Sequence, residues 1–210
     1  MKQISWLTVT TASLTLSLAG ASLGGFAQYD RSAILRGELW RLVTGHFSHW
    51  STSHLAYDLS AFIILGAICK RRDRRLFATV VASTATVVSL FLLAFRPDVE
   101  LYRGLSAIDS ALWMLAVFVV SERRPRLAAA LAMMFLAKVV IESRSGALFV
   151  QGITVLPVVH LIGAAVGFIM FGCRSRTFSP RQRFANCAYK SRTSPAASSS
   201  IASLAPPALI

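Results

Sequence analysis

Acidic residues are scarce in this chain: 9 Asp and Glu stand against 22 Lys and Arg in 210 residues, and charged side chains make up only 15%. A soluble domain carries about 25% charged residues, so there is too little charge here to cover a water-facing surface. That argues against a soluble enzyme. Cysteine is equally sparse, and Cys69, Cys173 and Cys187 do not lay out a disulfide framework. The first two each end an apolar stretch beside basic residues, and the third lies in a polar tail. There is no internal repeat of the transporter kind. The surplus of base, a net charge of +13, would suggest nucleic acid if it formed one face. It falls instead in short runs between long apolar stretches, so no nucleic-acid partner is expected.

What is abundant is apolar: 55% of the residues are hydrophobic and the mean hydropathy is +0.59. A spanning helix needs ~20 mostly apolar residues to cross ~30 Å of hydrocarbon. Six segments qualify, at about 4–26, 54–69, 76–95, 104–121, 127–141 and 152–172. The chain is therefore expected to be an all-α polytopic membrane protein, with a six-helix membrane domain over 1–173. Residues 174–210, basic and rich in Ser, Ala and Pro, read as a disordered tail. The first segment could be a signal peptide, since Lys2 precedes it. Its 23 residues exceed the ~7–15 of a signal core, however, and a retained helix is the expectation.

Lys and Arg placement sets the orientation. Lys2, the run Lys70–Arg75, the run Arg123–Arg126 and the tail together hold 15 basic residues. The opposite loops, near 27–53, 96–103 and 142–151, hold 6. Both termini are thus expected in the cytoplasm.

Polar groups within such spans are expensive and mark function. With this orientation the second, fourth and sixth spans all enter from the outer side. That puts His54 and Asp58, Ser106 and His160 at about one depth, although the topology was assigned from Lys and Arg alone. Ser106 opens a helix, where backbone N–H groups are unpaired and the dipole favours negative charge. His160, Gly163 and Gly167 share one helical stripe, and Gly163-x-x-x-Gly167 admits a second backbone closely. Ala107 and Ala111 offer the matching small stripe on the fourth span. Close packing there would bring an imidazole to a hydroxyl, the pairing a serine nucleophile requires. Asp109 reads as an interhelical partner.

These residues resemble the rhomboid intramembrane serine proteases over about residues 35–172. Trp40-Arg41, His49, His54 and Asp58 are similar to that family's first loop and second helix, whose pattern is Trp-Arg, then His-x4-His-x3-Asn. Gly104-Leu105-Ser106-Ala107 resembles its Gly-x-Ser-Gly motif, and His160-x2-Gly163-x3-Gly167 its base helix. Within the family, the short six-span architecture, Tyr102-Arg103-Gly104-Leu105-Ser106 and the Trp50/His54 region look most like the rhombosortase branch. Those enzymes process proteins that end in a Gly-Gly motif, a membrane helix and a basic end.

The resemblance implies a rhomboid-like bundle in a bacterial inner membrane with its site facing the periplasm. It implies peptide-bond hydrolysis by a Ser106–His160 dyad without cofactor or metal. The partners would be the lipid bilayer and membrane-anchored substrates with a C-terminal transmembrane helix. His54, Asp58 and Gly104 would serve the oxyanion and substrate. Trp40, Arg41 and His49 would fold the first loop; for Arg41 both loop carbonyls and lipid phosphate are open as partners, the structural role being favoured. Two positions depart from the pattern. Ala107 replaces the second Gly, and Asp58 stands where the family has Asn. A protonated Asp58 would donate to an oxyanion; an Asp58 paired with His54 would act by holding that ring. Two other readings remain: a proteolytically silent rhomboid-like binder of membrane helices, and a metal site built from His46, His49, His54, His160 and Asp58.

Overall fold

The computed structural model describes residues 6–18, 21–145 and 156–177. In chain order the elements are α1 (Trp6–Leu18), α2 (Ala21–Ala27), β1 (Tyr29–Asp30), α3 (Arg31–Leu35), α4 (Arg41–Thr44) and a 3₁₀ turn (Gly45–Phe47). The long helices follow: α5 (Thr52–Arg72) and α6 (Arg74–Phe95), then β2 (Leu101–Tyr102), α7 (Ser106–Ser121), α8 (Pro125–Ser145) and α9 (Pro157–Thr177). Met1–Gly172 forms one compact unit and Cys173–Ile210 a second. Of the second, only the last residues of α9 are described. The tail expected to be disordered lies, from 178 on, outside the described residues, as do residues 152–155 of the sixth expected span.

Local chemistry sets the helix ends. The Ser51 hydroxyl accepts the His54 N–H and starts α5. Asp73 ends α5 and begins α6, its carboxylate accepting from the N–H groups of Arg75 and Leu76. The basic run 70–75, expected as a loop, is thus helical on both sides of a single capping residue. Proline stands at the first position of α8 and α9, where its missing N–H costs nothing.

Among the described residues three helices, α5, α6 and α9, are long and apolar enough to cross a membrane, and α7 is a shorter apolar helix. The expected first span holds α1 and α2, and residues 19–20 between them lie outside the described residues. The fifth runs further than the expected 127–141, to Ser145, and so carries Glu142 as well as Lys138.

At the centre, α7 is enclosed on nearly every side: Ala107, Ile108, Ala111 and Leu112 are fully buried. Phe62, Phe77 and Val80 from α5 and α6 close around Ile108 and Leu112. Large apolar side chains such as Ile64, Leu90, Met133 and Phe168 point outward instead, as expected of helices solvated by lipid. The loops join at one end. Tyr29 and Asp30 of β1 pair antiparallel with Tyr102 and Leu101 of β2. The Arg31 N–H donates to the Glu100 carbonyl, and the Gly104 N–H to that of Gly45. At the opposite end Arg72 meets Glu122 at 3.1 Å.

The approach of α9 to α7 sets the geometry of the site. Gly163 lies on the carbonyl of Ala107 and Gly167 on that of Ala111, so closely that a methyl at either position would collide with backbone oxygen. Alanine at 163 or 167 must therefore push the helices apart, and each substitution is expected to cost about 1–3 kcal/mol as overpacking. Thermal unfolding in detergent should show the loss for Gly163→Ala and Gly167→Ala but not for Gly25→Ala, where a methyl meets nothing within 4 Å. Three equal transitions would contradict the contact.

Candidate active site

The first loop is built from the polar residues of its own sequence. Arg41, 8% exposed, donates to Glu38 and to the carbonyls of Gly25 and Gln28, so its bonds go to loop carbonyls. Trp40 stacks on Phe26 with ring centroids 5.4 Å apart. His46 Nε2 lies 3.0 Å from the Ala85 carbonyl and 3.1 Å from the Ser89 hydroxyl. That hydroxyl in turn donates to the Leu42 carbonyl, so His46 pins the loop to α6. Full burial pushes the His46 imidazole down to about 4 and keeps it neutral.

The same loop carries His49, whose Nδ1 meets the Ser17 hydroxyl of α1 at 3.0 Å. Its Nε2 stands 3.3 Å from Asp58 Oδ2, and His54 Nε2 stands 3.2 Å from the same oxygen. Asp58 and His54 are one turn apart on α5, which lets one carboxylate sit beneath both rings. The Leu105 N–H donates to that oxygen at 2.9 Å. Asp58 is thus an acceptor for the turn that precedes Ser106, the arrangement in which it holds the imidazoles.

Gly104 makes that turn possible. Its φ is +127°, a conformation closed to ordinary side chains. A Cβ there would also stand 2.9 Å from the His54 ring and 3.1 Å from Asp58 Oδ2. Arg103 holds the approach, bonding Gln28 and the His49 carbonyl and lying 4.5 Å over the Trp50 ring. Ser106 is then the first residue of α7, with no side-chain bond capping the helix at Leu105. It is half-buried between the fully buried Leu105 and Ala107. Its side chain interacts with the Tyr102 hydroxyl.

His160 is the fourth residue of α9 and is 4% exposed. Its Nδ1 lies 3.0 Å from Glu142 Oε2 and 3.4 Å from Lys138 Nζ. Lys138 and Glu142 pair at 2.7 Å. The structure thus brings His49, His54, Asp58 and Gly104 together at the turn that precedes Ser106, while Trp40 and Arg41 fasten the first loop to α2. No hydrogen bond joins Ser106 to His160; their helices meet at Ala107 and Gly163, one residue after the serine and three after the histidine.

Glu142 is a site residue that the sequence pattern missed, because 142–151 read as a loop. The available signal was the Lys138-x-x-x-Glu142 spacing, which puts opposite charges on one helical face. Asp109 differs from expectation. Buried at 7% exposure, it does not bond across to another helix, and neither carboxylate oxygen has a hydrogen-bond partner among the described residues. The ammonium that could have met it, Lys138, is turned to Glu142. For the metal reading, no group of three or more His, Cys, Asp or Glu among the described residues is arranged to hold an ion.

Residues 36–177, well over half of the chain, match the family model described as the Rhomboid domain. No curated protein matches the sequence.

Two substitutions test this architecture. Asp58→Ala would leave the buried Leu105 N–H and two imidazoles without their common acceptor, and is expected to cost about 2–4 kcal/mol in detergent unfolding. Asp58→Asn keeps a carbonyl for Leu105 and should lose less; equal stability of all three proteins would refute the hub. His46 gives a pH dependence. Unfolded, it takes a proton near the ordinary histidine value of 6.5, whereas folded it resists down to about 4. The unfolded state binds more protons across that window, so stability falls as pH drops from about 6.5 to 4, by about 3 kcal/mol for this group. Wild type should therefore lose stability more steeply than His46→Gln over that range, and parallel curves would count against a neutral buried His46.

Proposed function

We propose that this chain, which belongs to the rhomboid family and is thus an intramembrane serine protease hydrolysing peptide bonds, acts through Ser106 as nucleophile and His160 as general base. The observation that carries the pairing is the register of α9 on α7. Ser106 precedes Ala107 by one residue and His160 precedes Gly163 by three. At ~1.5 Å of rise per residue their Cα atoms sit within about 3 Å of one another in height on touching, parallel helices. A base acquires its full hydrogen bond to the nucleophile in the substrate complex, so the absence of that bond here does not count against it.

In the proposed reaction Ser106 Oγ attacks the scissile carbonyl carbon while its proton passes to Nε2 of His160. The developing oxyanion is met by the Ser106 N–H at the open end of α7 and by His54 when its ring carries both protons, Nε2–H facing Asp58 and Nδ1–H, which has no other partner among the described residues, facing the oxyanion. Collapse breaks the C–N bond as His160 returns the proton to the leaving amine. Water then gives its proton to His160 and its hydroxyl to the acyl carbon, and Ser106 recovers its hydrogen. Asp58 and Gly104 hold the Gly104–Leu105 turn from which Ser106 emerges.

The proposal extends to placement and substrate. Six spans with both termini in the cytoplasm would set the site at the outer, periplasmic face of a bacterial inner membrane. In support, His54, Ser106 and His160 all lie in the first turns of their helices. The basic runs 70–75 and 123–126 are gathered at the far end, where Arg72 meets Glu122. The substrate would be a membrane-anchored protein ending in a Gly-Gly motif, a helix and a basic segment, as the rhombosortase resemblance implies.

Fluorophosphonate labelling of the full chain in detergent tests the dyad. Wild type is expected to label, and Ser106→Ala and His160→Ala to lose the reaction by at least about 100-fold. A folded wild type that stays unlabelled, or variants that label equally, would overturn it. A co-expressed reporter with the Gly-Gly, helix and basic-end signal should be cut only when that signal is intact.

A further inference from the structure

We infer that Glu142 is the positioning residue for His160, holding the imidazole through its Nδ1–H so that Nε2 is left as the bare nitrogen. The inference rests on the Ser106–His160 reading and adds to it a member contributed by α8, a helix that supplies neither partner of the dyad.

Two groups compete for Nδ1, and they demand opposite tautomers. A carboxylate only accepts, so Glu142 requires a proton on Nδ1. An ammonium only donates, so Lys138 requires Nδ1 to be bare and would put the proton on Nε2. The second tautomer has no lone pair for the serine proton. Distance decides between them. At 3.0 Å, Glu142 Oε2 lies within the normal N–H···O range; at 3.4 Å, Lys138 Nζ lies beyond it. Of the three N–H groups of Lys138, one donates to Glu142 at 2.7 Å, the shorter and charge-assisted bond, so the carboxylate rather than Nδ1 sets the ammonium's position.

Burial makes the arrangement consequential. The side chains of His160 and Glu142 are 5% and 6% exposed, so water cannot replace either partner. Lys138 supplies the opposite charge that allows a carboxylate to be held at this depth. When Nε2 takes the proton from Ser106, the imidazolium forms beside a carboxylate already in place, where little solvent screens the attraction. Among the described residues the Asp109 carboxylate of α7 makes no hydrogen bond, and Tyr57 of α5 also faces Glu142.

The test uses the full chain in detergent with ¹⁵N-labelled histidine. The His160 ring nitrogens are assigned by their disappearance in His160→Ala. Wild type is expected to show a protonated Nδ1 and a bare Nε2 at neutral pH. In Glu142→Gln, Lys138 is released to donate to Nδ1, so the tautomer should switch and fluorophosphonate labelling of Ser106 should slow by about 10–100-fold. Glu142→Asp, which keeps the carboxylate, should retain the wild-type tautomer and part of the rate. A merely structural glutamate would alter stability without moving the tautomer of the folded protein. A wild-type His160 protonated on Nε2, or a Glu142→Gln variant that labels at the wild-type rate, would overturn the inference. Should Glu142→Gln fail to fold, the wild-type tautomer alone decides. Failure of the dyad reading is a separate result, because it shows as an unlabelled wild type or a labelled Ser106→Ala.

Discussion

With no side chain at 163 and 167, the backbone of α9 comes to rest on the carbonyl oxygens of Ala107 and Ala111, and the position of His160 follows from that contact. In a bilayer no hydrophobic drive pulls two helices together, since lipid tails are as apolar as leucine. Close van der Waals packing must supply the association, and only small residues permit it. One methyl group at either glycine would move the helix that carries His160 relative to the helix that begins at Ser106. Misplacement of a reacting group by about 1 Å can lower a rate by ~100-fold, so the register of this packing matters as much as the identity of the two residues.

A second constraint is the cost of leaving polar groups unpaired away from water. It explains why the acidic residues, few as they are, act as hubs. Asp58 gathers the Leu105 N–H and two imidazoles onto one oxygen, tying the first loop, α5 and the turn before Ser106 into one piece. Glu142 gathers Lys138 and His160 in the same way on the other side. Asp109 breaks the pattern, with both oxygens buried and unbonded among the described residues. It lies one turn below Ser106 in the most enclosed helix of the protein.

The end of the bundle that holds these hubs is also the end where the loops are joined. The β1–β2 pairing, the Gly104–Gly45 bond and the Arg103 contacts connect residues 28–50 to residues 100–104. Ser106 therefore leaves a braced turn rather than a free loop. Its half-exposed position between two fully buried neighbours gives a reacting hydroxyl access while its backbone stays fixed.

Much of this was legible in the amino-acid order, because it depends on short-range periodicity. Apolar length marked the bundle, three-residue and four-residue steps put His160, Gly163 and Gly167 on one stripe, and Gly104-Leu105-Ser106 announced a turn into a helix. Arg41 was readable as a loop fastener from its place beside Trp40. What depended on distant parts of the chain was not readable. The acceptor role of Asp58 needed Leu105 and His49 to arrive from 47 and 9 residues away. Glu142 needed α8 to run past 141 and α9 to dock beside it, and the Asp109 carboxylate, expected to bond another helix, has no hydrogen-bond partner among the described residues. Periodicity along one helix determines which face is apolar and which residues share it; which face of another helix it meets is decided by packing, where a single methyl or a single competing charge settles the outcome.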